Sequence, residues 1–261
     1  LSRAACCNLG ESFVTNPSVD VSYSDAATGA KQIKLLGLSG TYVQMLTENI
    51  PNYRGAASPY GLGYVPGPWM QSIQVSKGTS SVKNGYEAIT GQINVEFKKP
   101  QLPEADWVSA NLFASTTNRY EANADATLKL SKRWSTSLLA HYENETKAHD
   151  GNDDGFVDIP QVEQYNVWNR WAYMGDHYVF QAGFKALSET RTSGQANHGG
   201  AIHSGDLYKV GIDTERYEFF TKNAYIFNKE KNTNLALILS ATLHNQDATY
   251  GRKLYNVDQT N

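Results

Sequence analysis

Tyr120-Glu121-Ala122-Asn123-Ala124-Asp125-Ala126-Thr127-Leu128-Lys129-Leu130 alternates without a break. Tyr120, Ala122, Ala124, Ala126, Leu128 and Leu130 share one side, and Glu121, Asn123, Asp125, Thr127 and Lys129 share the other. A strict period of two marks a β-strand with one apolar and one polar face. Such a strand suits the half-buried sheet of a soluble sandwich or the lipid-facing wall of a barrel, and locally the two look alike.

Working outward, the same pattern predicts strands over residues 107–117, 120–130, 134–143, 164–174, 178–189, 216–228 and 232–246. The links at 118–119, 131–133, 175–177 and 229–231 are short, whereas 144–163 and 190–215 are long. After the first link, short and long alternate, as in outer-membrane barrels with tight turns at one end and extended loops at the other. Aromatics gather near strand ends: Trp107, Tyr120, Trp134, Tyr142, Tyr165, Trp168, Trp171, Tyr173, Tyr178 and Phe180. Interfacial girdles have that placement. No apolar run approaches the roughly 18 residues of a membrane helix, which leaves a barrel open because each barrel strand shows lipid only every second residue.

Residues 1–100 read differently. Gly and Pro punctuate 60–68, 49–52 reads as a turn, and short strand-like pieces fall at 32–36, 42–47, 73–77 and 91–98, with room for a short helix in 1–16. That mixture suggests a small α+β domain, joined through 98–103 to the strands that follow. Charge and composition narrow the function classes. A formal net charge of -3 gives no footprint for nucleic acid. Cys6 and Cys7 are adjacent, which disfavours a disulfide between them, and the absence of a CxxC pair argues against zinc, so both read as buried thiols. The six histidines are scattered, and no Ser-His-Asp or Cys-His spacing points to an enzyme.

Residues 70–100 carry the decisive motif. Ile73-Gln74-Val75, Lys77-Gly78, Ser80-Ser81-Val82, Asn84-Gly85, Thr90-Gly91, Ile93-Asn94-Val95 and Lys98-Lys99-Pro100 follow one another in order. This closely resembles the end of the plug domain of TonB-dependent outer-membrane receptors. Residues 31–37 and 46–51 resemble that plug's earlier strand and turn, so the likeness spans nearly all of 15–100. Thr90-Gly91 replaces a Gly-Gly step common in the family. Residues 164–171 are similar to Bacteroidetes-type members.

The resemblance implies a plug at 1–100, lacking its N-terminus, and the first strands of the transmembrane barrel at 101–261. It implies a bacterial outer-membrane receptor importing a scarce nutrient, such as a siderophore, haem or cobalamin complex, with the plug as gate. Its partners would be the TonB energy-coupling complex, outer-membrane lipid, the cargo and, for a glycan importer, a surface lipoprotein. A plugged barrel has about 22 strands. At about 9–11 residues each these need roughly 200–240 residues, more than follow Pro100, so the chain is expected to be a fragment. The alternative is a soluble calcium-dependent β-sandwich for binding or adhesion.

Two sets of residues are candidate sites. Tyr53, Arg54, Tyr60, Tyr64 and Trp69 lie around plug turns that face outward in the family and are candidates for cargo contact. Residues 150–158 match the start of a calcium loop, with side-chain oxygens from Asp150, Asn152, Asp154 and Asp158, the Phe156 carbonyl, and Gly155 at the sharp turn. Gln161 stands where the bidentate Glu belongs, with Glu163 the nearest substitute. Calcium here would order an outer loop, and no organic cofactor is implied. Arg191, His198 and His203 in the second long loop are further candidates for substrate or metal contact.

Overall fold

A computed structural model describes residues 7–13, 19–38, 40–79, 87–100, 108–196, 207–231 and 233–261. In the first part, strands β1 (Asp20–Asp25) and β2 (Ala30–Lys34) form an antiparallel hairpin. Strands β3 (Val43–Thr47), β4 (Ile50–Pro51), β5 (Met70–Lys77) and β6 (Gly91–Phe97) form a second sheet in the order β4-β3-β6-β5, with β3 and β6 parallel. The turn between β3 and β4 sits at Glu48-Asn49, both at positive φ (55° and 60°), one residue earlier than the sequence suggested. Helical structure among the described residues is confined to short 3-10 turns, including Glu11–Phe13 where a helix was expected.

The single glycine of the Thr90-Gly91 step is sufficient. A Cβ on Gly91 would fall 2.3 Å from the Ser76 carbonyl oxygen, so this position needs glycine whatever precedes it.

The second part is one antiparallel sheet of eight neighbouring strands in sequence order. They are β7 (Val108–Ala114), β8 (Arg119–Lys129), β9 (Trp134–Glu145), β10 (Gln161–Met174), β11 (Tyr178–Gly194), β12 (Lys209–Asn228), β13 (Thr233–Tyr250) and β14 (Lys253–Thr260). Strict meander order is that of an up-and-down barrel wall. The strands run further than their apolar patterning indicated. β11 continues five residues past Glu189, β12 begins at Lys209 rather than Arg216, and β14 is an additional strand. Cross-strand backbone pairing sustains these extensions, in which Val210 and Ile212 of β12 turn inward and are buried. Trp107, His198 and His203 lie outside the described residues.

The faces are inverted relative to a soluble sheet. On β10 the residues turned toward the first domain are Gln164, Asn166, Trp168 and Arg170, at 1%, 0%, 4% and 2% exposure, whereas Tyr165, Val167 and Trp171 on the far face keep 54%, 43% and 40%. The polar set of β8 follows the same rule, with Glu121 and Asn123 buried and Tyr120 and Leu128 exposed. Leu138, Phe184, Phe219, Leu237 and Leu239 continue the exposed apolar band. Aromatics flank it: Tyr142 against Tyr165 near the loop end, and Trp134 against Tyr173 and Phe180 near the turn end. Trp168 is an exception to the girdle expected of it, because its even position on β10 turns it inward. A β-sandwich buries its apolar face and wets the polar one; this sheet does the reverse, so that alternative fails.

A lipid-facing band has a measurable cost. Val167→Arg in the full-length protein is expected to destabilise the folded barrel by about 2–4 kcal/mol, the cost of a cation at the bilayer midplane. The folded fraction on heat-modifiable gel mobility would fall accordingly. A folded fraction equal to wild type would show that this face meets water.

Candidate functional site

The concave, polar face of the sheet is occupied by the first domain, and two ionic clusters hold the contact. Glu48 lies at the β3–β4 turn and is 1% exposed. Its Oε1 accepts the Phe97 N–H at 3.1 Å and pairs with Arg170 of β10 at 3.0 Å. Its Oε2 lies 3.6 Å from Lys99 and 3.8 Å from Lys222 of β12. Lys222 also donates to the Glu48 carbonyl, and Arg170 to the Lys98 carbonyl at 2.7 Å. Beside it, burial opposes ionisation of Glu96, but hydrogen bonds from Lys99 and Asn94 hold its carboxyl below the usual carboxylate range.

The second cluster centres on Asn52, just after β4. Its Nδ2 donates to Glu218 of β12 at 2.7 Å and to Thr47 at 3.0 Å, while its Oδ1 accepts from Arg216. Arg216 Nε donates to Glu218 at 2.8 Å. Lys185 of β11 donates to the Tyr53 hydroxyl and to the Tyr64 carbonyl, both at 3.0 Å. Removing either sign from such a network leaves a buried charge without its partner. An aromatic seam runs alongside: Phe97 meets Trp168 edge-on at 4.5 Å, and Trp69 lies 6.4 Å from the same indole.

The candidate cargo residues divide accordingly. Tyr53, Tyr60, Tyr64 and Trp69 are buried at 4%, 8%, 0% and 0% exposure in packing between plug and wall. Burial pushes the Tyr53 and Tyr64 hydroxyls well above the usual phenol range, so both stay neutral. Arg54 is partly exposed and pairs with Glu87 at 2.7 Å. Arg191 was placed by sequence in a loop. It lies instead inside β11, where it pairs with Glu189 at 2.9 Å, donates to the Thr28 carbonyl at 3.2 Å and stacks over Tyr60 at 5.0 Å. It clamps the tip of the β1–β2 hairpin to the wall.

In the 150–158 loop the carboxylates cap the loop's own backbone. Asp150 accepts the N–H groups of Asp154 (3.2 Å) and Gly155 (2.8 Å), Asp158 that of Gly151 (2.6 Å), and Asp154 that of Phe156 (2.8 Å). Gly155 takes a positive φ of 82°. Among the described residues no three His, Cys, Asp or Glu side chains converge as a metal-ligand group. The loop is tied to the next one, since the Val157 N–H donates to the Gly194 carbonyl at 2.9 Å and the Ala196 N–H to the Gly155 carbonyl at 2.8 Å.

The residues that bind the two domains together, Glu48, Asn52, Arg170, Lys185, Arg216 and Glu218, were not singled out from sequence. Their signal is charge at alternate positions in mid-strand: Lys185, Glu189 and Arg191 on β11, and Arg216, Glu218 and Lys222 on β12. Charges so spaced in a wall that is apolar on its other face must face an interior.

An antiparallel wall with an apolar outside and a polar inside filled by an N-terminal domain defines a plugged outer-membrane barrel. Residues 2–92 match the family described as the TonB-dependent Receptor Plug Domain. Residues 2–92 thus belong to the plug-domain family of TonB-dependent receptors, and the strands that follow have the fold of part of such a receptor's barrel wall. No curated protein sequence matches it. Among solved structures it is similar to the ferripyoverdine receptor of Pseudomonas aeruginosa bound to ferripyoverdine, at 14% identity and a TM-score of 0.72, covering 98% of this chain and 35% of that one. It is also similar to the ferric-catecholate import receptor Fiu of E. coli K12 in its open form (16%, TM-score 0.71, 99% and 42%). The siderophore receptor PirA of Acinetobacter baumannii is a third (15%, TM-score 0.64, 98% and 41%). The chain thus spans well under half of the receptors it matches.

Glu48→Gln is expected to loosen plug from wall. In the full-length receptor it leaves Arg170 buried without its anion, at a cost of about 3–5 kcal/mol, and protease cleavage within the plug should accelerate. The double variant Glu48→Gln/Arg170→Met should recover most of the loss. Unchanged proteolysis in the single variant would show that the ion pair does not hold the plug.

Proposed function

We propose that this protein imports a scarce nutrient across the outer membrane as a metal complex, with the plug as the gate and a TonB-type complex supplying the energy. The observation that carries the reading is the chemistry of the contact between plug and wall. Buried ion pairs and hydrogen bonds run through it beside an apolar cluster that includes Leu139, Leu187, Val210 and Ile212 of the wall, and each polar group can exchange its partner for water when the plug moves. Two of the solved structures of similar fold are receptors for iron complexes by their own descriptions and another is a copper transporter, which favours a metal complex as cargo. Arg54, partly exposed at the edge of the plug, is the cargo-contact candidate that could act without rearrangement. A surface lipoprotein partner belongs to the glycan-importing version of this reading, which the iron-complex neighbours disfavour.

The test uses the native organism under iron limitation. Deleting the gene should abolish growth on a subset of ferric chelates supplied at low concentration, and deleting the TonB-type coupling gene should reproduce the defect. Energy-independent uptake, or growth unaltered by either deletion, would overturn the reading.

A second proposal concerns the 150–158 loop: calcium binds there and stiffens the tie between the two outer loops. The pre-ordered Asp150 and the positive φ of Gly155 support it. Adding calcium to chelator-treated receptor should raise its Tm, and Asp150→Asn/Asp154→Asn should remove the increment. A Tm indifferent to calcium would eliminate the site.

A further inference from the structure

The two rims of the wall differ in charge. At the turn end, the tight turns 131–133, 175–177 and 229–231 carry Lys132, Arg133, Lys229 and Lys231 against Asp176 and Glu230, all exposed. On the lipid-facing side of the loop end the sign is reversed. Glu163 pairs in register with Thr190, Thr190 with Asp213, and Asp213 with Asp247, so three exposed carboxylates share one cross-strand row. Glu163 lies two residues from Tyr165 on the outward face of β10, where it accepts from the hydroxyls of Tyr142 (3.2 Å) and Tyr165 (2.9 Å). The Thr190 hydroxyl donates to Asp213 at 2.8 Å.

We propose that the turn-end rim is a binding surface for the phosphodiester headgroups of anionic phospholipids in the adjoining leaflet. The inference rests on the lipid-facing wall and on no particular cargo. An aromatic girdle sets the depth of the cations. Trp134 follows Arg133 directly and packs against Tyr173 at 5.1 Å and Phe180 at 6.1 Å. Leu128, Tyr178 and Tyr225 carry the exposed apolar face down to the turns. Indole and phenol rings settle at the membrane–water boundary, so the residues one step beyond them lie among the phosphates. Lys and Arg stems follow apolar surface while their charged heads stay in the polar layer.

The rim is held in shape before a lipid arrives. The Met174 N–H donates to the Arg133 carbonyl and the Ile226 N–H to the His177 carbonyl, both at 2.8 Å, which laces each turn to the next. Asp176 sits between Arg133 (3.1 Å) and Lys229 (3.5 Å), one carboxylate shared by two cations. The Arg133 and Lys229 side chains keep 55% and 59% exposure, so their heads stay open to a phosphate. A guanidinium takes a phosphate through two parallel N–H donors, and lysines add point charges. A zwitterionic headgroup brings its own cation and gains little from such a rim. The carboxylate row at the other rim repels the same anionic headgroup, which confines the preference to one end of the wall.

The test uses the full-length receptor, folded as judged by gel mobility, in phosphatidylcholine bilayers carrying a trace of spin-labelled phosphatidylglycerol or spin-labelled phosphatidylcholine. The fraction of each label immobilised at the protein surface gives its relative association constant. Phosphatidylglycerol should be favoured about fivefold, the worth of one uncompensated cation at a membrane surface. The preference should shrink in about 1 M salt, where the Debye length is about 3 Å. Lys132→Gln/Arg133→Gln/Lys229→Gln/Lys231→Gln should remove most of it. Lys132→Gln/Lys231→Gln leaves the Asp176 pairs intact, which guards against loss of folding, and should roughly halve the preference, two of the four cations being gone. Asp213→Asn/Asp247→Asn, at the other rim, should not lower it. Equal association of the two lipids with wild type, or a preference unchanged in both lysine variants, would overturn the assignment. A preference lost instead in the aspartate variant would place the anionic lipid at the wrong rim and overturn it equally.

Discussion

The polar inner face of the wall has no solvent of its own where the plug sits, and the structure follows from how that face is satisfied. Arg170, Lys185 and Arg216 are buried, and Glu218 is half-buried, on strands whose other side is apolar. Alone, each would carry a desolvation cost that the wall cannot offset. Glu48 and Asn52, presented by one tight plug turn, supply the complementary groups. The turn can do so because Glu48 and Asn49 both accept positive φ, which reverses the chain within two residues and aims both side chains outward from the plug sheet.

Such an interface is stable yet separable. Aromatic contacts among Trp69, Phe97, Trp168 and Phe220 give it shape, while most specific contacts are polar. Leu139, Leu187, Val210 and Ile212 of the wall also pack into the plug core, so release of the plug breaks these apolar contacts as well as exchanging ion pairs for water. At the other end of the wall, Arg191 grips the β1–β2 hairpin and the outer loops are laced together through Gly194 and Gly155. The plug is thus fastened at two heights.

The architecture was legible in the sequence where one physical rule acted alone. Alternation in residues 120–130 identified a wall strand because lipid and lumen impose opposite demands on successive side chains. The plug was legible through an ordered series of turn and strand motifs. Strand length was not, because the extension of β11 is polar on both sides, while those of β12 and β13 carry only the short inward sets Val210 with Ile212 and Ala248 with Tyr250, too few to show a period. Trp168 looked like a girdle residue by type, and only its parity with Asn166 and Arg170 reveals that it faces the plug. The interface charges were visible as a pattern but not as partners, since Glu48 meets Arg170 and Lys222 across more than a hundred residues of chain.

The most direct test of the account is a nitroxide scan along residues 163–173 of the full-length receptor in lipid bilayers. Accessibility to oxygen should rise at 165, 167, 169 and 171 and fall at 164, 166, 168 and 170, with the latter set also shielded from a water-soluble relaxant by the plug. Equal accessibility at odd and even positions, or odd positions reached by the water-soluble reagent, would contradict a lipid-facing wall closed over a plug.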